Sequence, residues 1–123
     1  MSKDIDSSVY ILLGTRKKDG SMVNTPVWFA GEQGSYFVLS AGNAGKVKRL
    51  RNFAQVHIAP CTITGKPLGD TLTANAVLLE HPADIRHAYQ SLVKKYGWQM
   101  RFLDLGSWLS GQYNKRKFIN ITL

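Results

Sequence analysis

The sequence predicts a small, mainly β protein: a six-stranded antiparallel barrel with one or two helices. Three observations point there. Short apolar runs rich in β-branched and aromatic residues recur along most of the chain, as strands do. Tight turn signals such as Lys18-Asp19-Gly20-Ser21 separate the first of these runs, so successive strands are joined as hairpins. Clear helical spacing enters only after residue 80. Consecutive antiparallel strands with few helices favour closure into a barrel.

Val9 to Thr15 is apolar on both parities, as expected of a strand buried on both faces. Asp19-Gly20 turns the chain into a second strand, Met22 to Ala30, with Pro26 in its middle. Proline cannot donate to a ladder, so this strand is expected to be bulged or at an edge there. Gly31 to Gly34 forms the next turn and Ser35 to Ser40 the third strand. Gln55 to Pro60 alternates as a fourth strand, Thr62 to Gly69 reads as a long connection, and Thr71 to Leu79 as a fifth strand. Ile85, Ala88, Tyr89, Leu92 and Tyr96 then fall at helical spacing, with Lys94 and Lys95 in the last turn and Gly97 as the stop. Met100 to Leu109 is a candidate short helix, and Lys117 to Leu123 alternates as a closing sixth strand.

At 123 residues the chain is expected to form one domain, residues 1–123. A chain of this size buries only about two-thirds of its unfolded surface, so a partner subunit would help it. The 44% hydrophobic and 20% charged content argues against disorder. A net charge of +8 calls for an anionic partner: nucleic acid, an acidic membrane face or a phosphorylated small molecule. Cys61 is the only cysteine, which rules out an intramolecular disulfide, and His57, His81 and His87 are too scattered to build a zinc site with it. The polar start Met1 to Asp6 lacks the apolar core of a signal peptide, and no apolar run approaches the roughly 18 residues of a membrane span. A soluble, cytoplasmic protein is expected.

The segment Gly42 to Arg51 is the richest in function. Lys46, Lys48, Arg49 and Arg51 place four cations within six residues, behind glycines that let a backbone approach a ligand. A strand feeding a glycine turn and a basic helical start is an anion-site pattern; a solvated basic helix face is the other reading. A P-loop is excluded, because its frame would begin at Ser40 and end at Val47. No catalytic triad assembles, Cys61 has no base placed beside it, and Asp70, Glu80 and Asp84 form no acid–base pair. If the protein is an enzyme, a cofactor carries the chemistry. Thr25-Pro26-Val27-Trp28-Phe29 is the second feature: Trp28 is either core, or part of an irregular strand whose freed backbone groups meet the polar edge of a planar ring.

Four segments in order carry a resemblance: Tyr10 to Gly20, Thr25 to Ala30, Gly45 to Asn52 and Val56 to Cys61. Together they resemble the pyridoxamine 5′-phosphate-oxidase-like flavin and deazaflavin oxidoreductases, nearest to the small branch labelled F-420-dependent. The similarity covers residues 9 to 80 well, and the Lys94 to Gly97 segment and the last strand more loosely. It implies a split β-barrel homodimer holding FMN, or alternatively F-420, in a groove between subunits. It further implies that Lys46 and Arg49 hold the cofactor phosphate and that Ser40 lies near the phosphate or ribityl chain. Thr25, Pro26, Val27 and Trp28 would run along the isoalloxazine ring through backbone contacts, and Trp108 would cover the site from the partner subunit. The Ser-Arg-Lys motif of the true oxidases stands here as Ala44-Gly45-Lys46, and their C-terminal arginine pattern has no counterpart, so pyridoxamine phosphate is not the expected substrate.

The function expected is therefore hydride transfer through bound FMN to a small unsaturated or quinone-like substrate. F-420 is the alternative, its acidic tail served by Lys17, Lys18, Lys48 and Arg51 if they ring the groove. A non-catalytic flavin-binding protein and a nucleic-acid-binding barrel are the competing classes. The latter would stack bases on Tyr10, Trp28, Tyr36 and Phe37, residues whose apolar strands favour core positions.

Overall fold

Strands β1 (Tyr10–Arg16), β2 (Met22–Glu32), β3 (Ser35–Ala41), β4 (Gln55–Cys61), β5 (Leu72–Leu78) and β6 (Arg116–Thr122) form a closed barrel. The computed structural model describes residues 5–41, 49–50, 52–97 and 116–123. Around the barrel the order is β1-β2-β3-β6-β5-β4, and every neighbouring pair, including β3 with β6 and β1 with β4, is antiparallel. Among the described residues a long helix, α1 (Pro82–Tyr96), packs outside, and a 3-10 turn at Ile5–Ser7 precedes β1.

The turns follow from their residues. Asp19 Oδ1 accepts hydrogen bonds from the Ser21 N–H (2.9 Å) and Ser21 hydroxyl (2.6 Å), which lowers the Asp19 pKa and fixes the β1–β2 hairpin. Gln33 and Gly34 both take positive φ between Glu32 and Ser35, the handedness that two-residue hairpins need. Gly31 is obligatory for a different reason: a Cβ there would lie 2.3 Å from the Ser35 carbonyl oxygen. The connection after β4 is a compact excursion rather than a loose loop. Thr62 N–H donates to the Lys66 carbonyl (2.9 Å) and Leu68 N–H returns to that of Pro60 (2.8 Å).

Strand alternation divides the apolar residues into two layers. Ile11, Leu13, Phe29, Val38, Ile58 and Ile119 point inward and are at most 1% exposed. Trp28, Ala30, Phe37, Leu39 and Phe118 point outward and are covered by Ile85, Ala88, Tyr89, Leu92, Val93 and Tyr96 of α1. Trp28 is thus packing material of the outer layer, its ring stacked on Tyr96 at 4.5 Å, and Tyr36 is buried in the barrel. The helix begins three residues before its first periodic residue. Pro82 occupies the first turn, and the ring Nδ1 of His81 accepts from the Ala83 N–H at 3.1 Å. Gly97 ends the helix at φ 59°, its N–H donating to the Val93 carbonyl.

Among the described residues no helix is long and apolar enough to cross a membrane. The expected helix at Met100 to Leu109 and the position of Trp108 lie outside the described residues.

Candidate functional site

Strand β2 changes partner along its length. Met22 to Trp28 pairs with β1, from Arg16↔Met22 to Tyr10↔Trp28, while Phe29 to Glu32 pairs with β3. The register with β1 is continuous through Leu12↔Pro26, so there is no bulge; Pro26 sits on an edge. Which edge is fixed by Tyr96. Its hydroxyl donates to the Val9 carbonyl (2.7 Å), lies 2.9 Å from the Phe29 carbonyl and accepts from the Phe29 N–H (2.9 Å). That places the Phe29 backbone groups on the β1 side, and by alternation those of Trp28, Pro26 and Asn24 on the β3 side. The missing N–H of Pro26 therefore costs the barrel nothing.

On that side, among the described residues, the ladder stops. Continuing the β2–β3 register beyond Phe29↔Val38 would set Trp28 against Leu39, Val27 against Ser40 and Pro26 against Ala41. Those pairs are not made, while Leu39, Ser40 and Ala41 keep their pairing with Phe118, Lys117 and Arg116 of β6 on the other edge of β3. The result is a split in the barrel wall, with the Met22 to Trp28 edge on one side and the end of β3 on the other.

The end of the split is held by a hydroxyl and a cation. Thr15, 1% exposed, is the last inward residue of β1. Its Oγ1 accepts from the Arg49 Nε at 2.6 Å. Arg49 is helical, directly after the segment that follows β3, and Leu50 beside it packs into the core. Arg16 adds a second cation at the same end of the barrel, its guanidinium 5.0 Å from the Phe53 ring centre. A guanidinium pinned through Nε keeps a fixed orientation, as a site for planar or phosphate oxygens requires.

Of the residues expected to hold a cofactor, Thr25, Pro26, Val27 and Trp28 form the open edge, and Ser40 stands across the split by register. Thr25 shares the inward parity of Val27 and Phe29, Pro26 and Trp28 the outward one. Arg49 stands with Thr15 at the barrel end shared by the last residues of β1 and β3. Lys46 lies outside the described residues. Thr15 and Tyr96 have roles that sequence reading did not assign. The only hint of Thr15 was a polar residue at the inward parity of Ile11 and Leu13. Cys61 is 2% exposed and burial raises its thiol pKa, so it is a packing residue rather than a nucleophile.

No family model and no curated protein matches the chain. Solved structures do. An F420-H2-dependent reductase, FDR-A, aligns with a TM-score of 0.65 at 14% identity, over 92% of this chain and 93% of that one. A candidate pyridoxamine 5′-phosphate oxidase from Listeria innocua aligns at 0.67 and 12%, over 96% and 86%. The haem storage protein HutZ from Vibrio cholerae aligns at 0.69 and 19%, over 94% and 82%. This chain has the pyridoxamine 5′-phosphate-oxidase-like split-barrel fold. At such identities the likeness is one of fold.

Proposed function

We propose that this split barrel is a homodimeric, FMN-dependent oxidoreductase acting on a small unsaturated or quinone-like substrate, with the cofactor in the β2–β3 split. The observation that carries the reading is the open backbone edge of Asn24, Pro26 and Trp28 opposite Ser40, ending at the Thr15–Arg49 pair. Unpaired strand edges need partners, and the N–H and C=O groups of a β-edge match the alternating donors and acceptors of a flavin's polar rim. Arg49 fits a phosphate at one end of that edge, with Lys46 as its proposed companion. When bound, FMN supplies the hydride chemistry. The chain supplies charge, orientation and a dry wall: Arg49 neutralises the phosphate, the Thr25 to Trp28 backbone sets the ring plane, and Val27 and Phe29 behind it exclude water.

A second copy of the chain would complete the groove. Ile63 at 68%, Val77 at 59% and Leu72 at 40% exposure offer apolar surface to such a partner. F-420 is the second reading, favoured by the fold shared with FDR-A and by the net charge of +8.

The deciding experiment is the absorption spectrum and mass of the small molecule that co-purifies, followed by titration of the stripped protein with FMN and with F-420. A flavin spectrum and saturable FMN binding are expected. A deazaflavin band moves the assignment to F-420, and a Soret band moves it to haem. Absence of binding to FMN and F-420 alike overturns the oxidoreductase reading.

A further inference from the structure

A cavity of about 670 Å³ opens between the C-terminal half of α1 and the β2–β3 hairpin. This volume is in the range of small-molecule sites. His87, Ser91 and the Lys94-Lys95 pair recur at helical spacing and face it together, opposite Phe37 of β3. The site is separate from the split. Phe37 points outward under α1, and the cleft lies toward the β2–β3 turn while the split runs the other way from Leu39.

We propose that this cleft binds a small anion with an aromatic body, such as an aromatic carboxylate. Its polar contents favour negative charge. Two lysines, Lys94 and Lys95, line it with one carboxylate, Asp6, and that carboxylate already accepts from the Tyr36 hydroxyl (2.6 Å) and the Gln33 N–H (3.1 Å). Lys95, though solvent-reaching along its stem, holds Nζ 2.9 Å from the Ser8 carbonyl and 3.3 Å from the Phe29 ring centre. Partial burial of that ammonium lowers its pKa to about 8, with the Asp6 charge opposing the shift. Seated there, Lys95 adds its positive charge to the field of the cleft from behind its wall. Lys94 stands beside it, exposed, as the more accessible charge.

The aromatic preference comes from the wall. The Phe37 and His87 rings meet edge to face, 5.3 Å apart and 84° between planes. Two perpendicular rings form a corner into which a flat ring fits by stacking on one and meeting the edge of the other. The Ser91 hydroxyl is engaged with the His87 carbonyl at 3.0 Å, which leaves the lysines to take the charge.

The test is an amide chemical-shift titration of the full chain with benzoate, phenyl phosphate and the neutral benzyl alcohol. Saturable shifts are expected at Ser35, Phe37, His87 and Ser91 with either anion, and none at Thr15, Ser40 or Arg49; whichever anion binds tighter names the headgroup. Benzyl alcohol should bind at least about tenfold more weakly than the better anion, and Lys94→Glu should weaken that anion by a similar factor. Lys94→Glu changes an exposed side chain, so folding is preserved; Phe37→Ala should also lose the preference for an aromatic anion over acetate. Equal binding of benzyl alcohol, unchanged affinity in Lys94→Glu, or shifts confined to the split would overturn the proposal.

Discussion

The two ends of the barrel are built on opposite principles. Where β1 starts and β2 ends, polar groups close on one another. Tyr36 donates to Asp6, Gln33 N–H joins the same carboxylate, and Tyr96 ties Val9 to Phe29. Lys95 lies across the buried Phe29 ring. At the other end, where β1 stops and β2 begins, β2 runs with one edge open among the described residues, and Thr15 with Arg49 ties strand to helix. The first end satisfies its own backbone and is a foundation. The second leaves strand atoms to be completed by something bound, which is how a rigid scaffold carries a site.

Phe29→Ala is the strongest way to break that contrast. Phe29 is fully buried, meets Tyr36 edge to face at 5.7 Å and lies beneath Lys95. Its truncation should cost about 3–5 kcal/mol of stability in urea unfolding. A loss below ~1 kcal/mol would show that the closed end is not the foundation.

The next effect is read from pH. Burial raises the Tyr96 pKa from 10.0 to about 12, partly offset by its Phe29 backbone bond. A raised folded pKa stabilises the protein fully below the unfolded value and less as pH climbs through the folded one. Stability should therefore fall between pH 10 and 12, by about 2–3 kcal/mol for the Tyr96 contribution. Lys95 works in the opposite sense. Its pKa is lowered by burial from 10.5 to about 8, so the unfolded chain binds the proton more readily and stability should rise between those values. Denaturation midpoints across pH 7 to 12 should thus pass through a maximum near pH 10. Lys95→Met should remove the rise and Tyr96→Phe should flatten the fall.

Much of the closed end was legible in the sequence and little of the open one. Alternation and turn residues located all six strands, because a half-buried strand writes its burial every second residue. The start of α1 was less visible, since Pro82 and the His81 cap lie outside the apolar period that marks the rest. Pro26 announced a bulge or an edge, and only the change of β2 partner at Phe29 decides for the edge. The Tyr96 and Arg49 bonds join residues 67 and 34 apart, and no local pattern encodes such pairings. Thr25 to Trp28 and Ser40 were named through family resemblance, and the fold sets them across one gap. Lys46, on which half of the phosphate argument rested, lies outside the described residues.

Arg49→Ala sharpens the comparison with the smallest effect on the fold. Arg49 is half-buried and bonds a buried hydroxyl. Removing it leaves Thr15 Oγ1 able to turn toward its own backbone, so unfolding midpoints should shift by less than about 1 kcal/mol. Cofactor affinity should fall at least tenfold, about 1.4 kcal/mol, because a charge-assisted phosphate contact is worth more than that. Arg49→Lys keeps the charge but loses the Nε anchor and the planar fork, and should fall between the two. The measurement is FMN titration by fluorescence quenching beside urea unfolding of the same variants. Affinity that stays constant while stability drops would make Arg49 a strut between helix and strand.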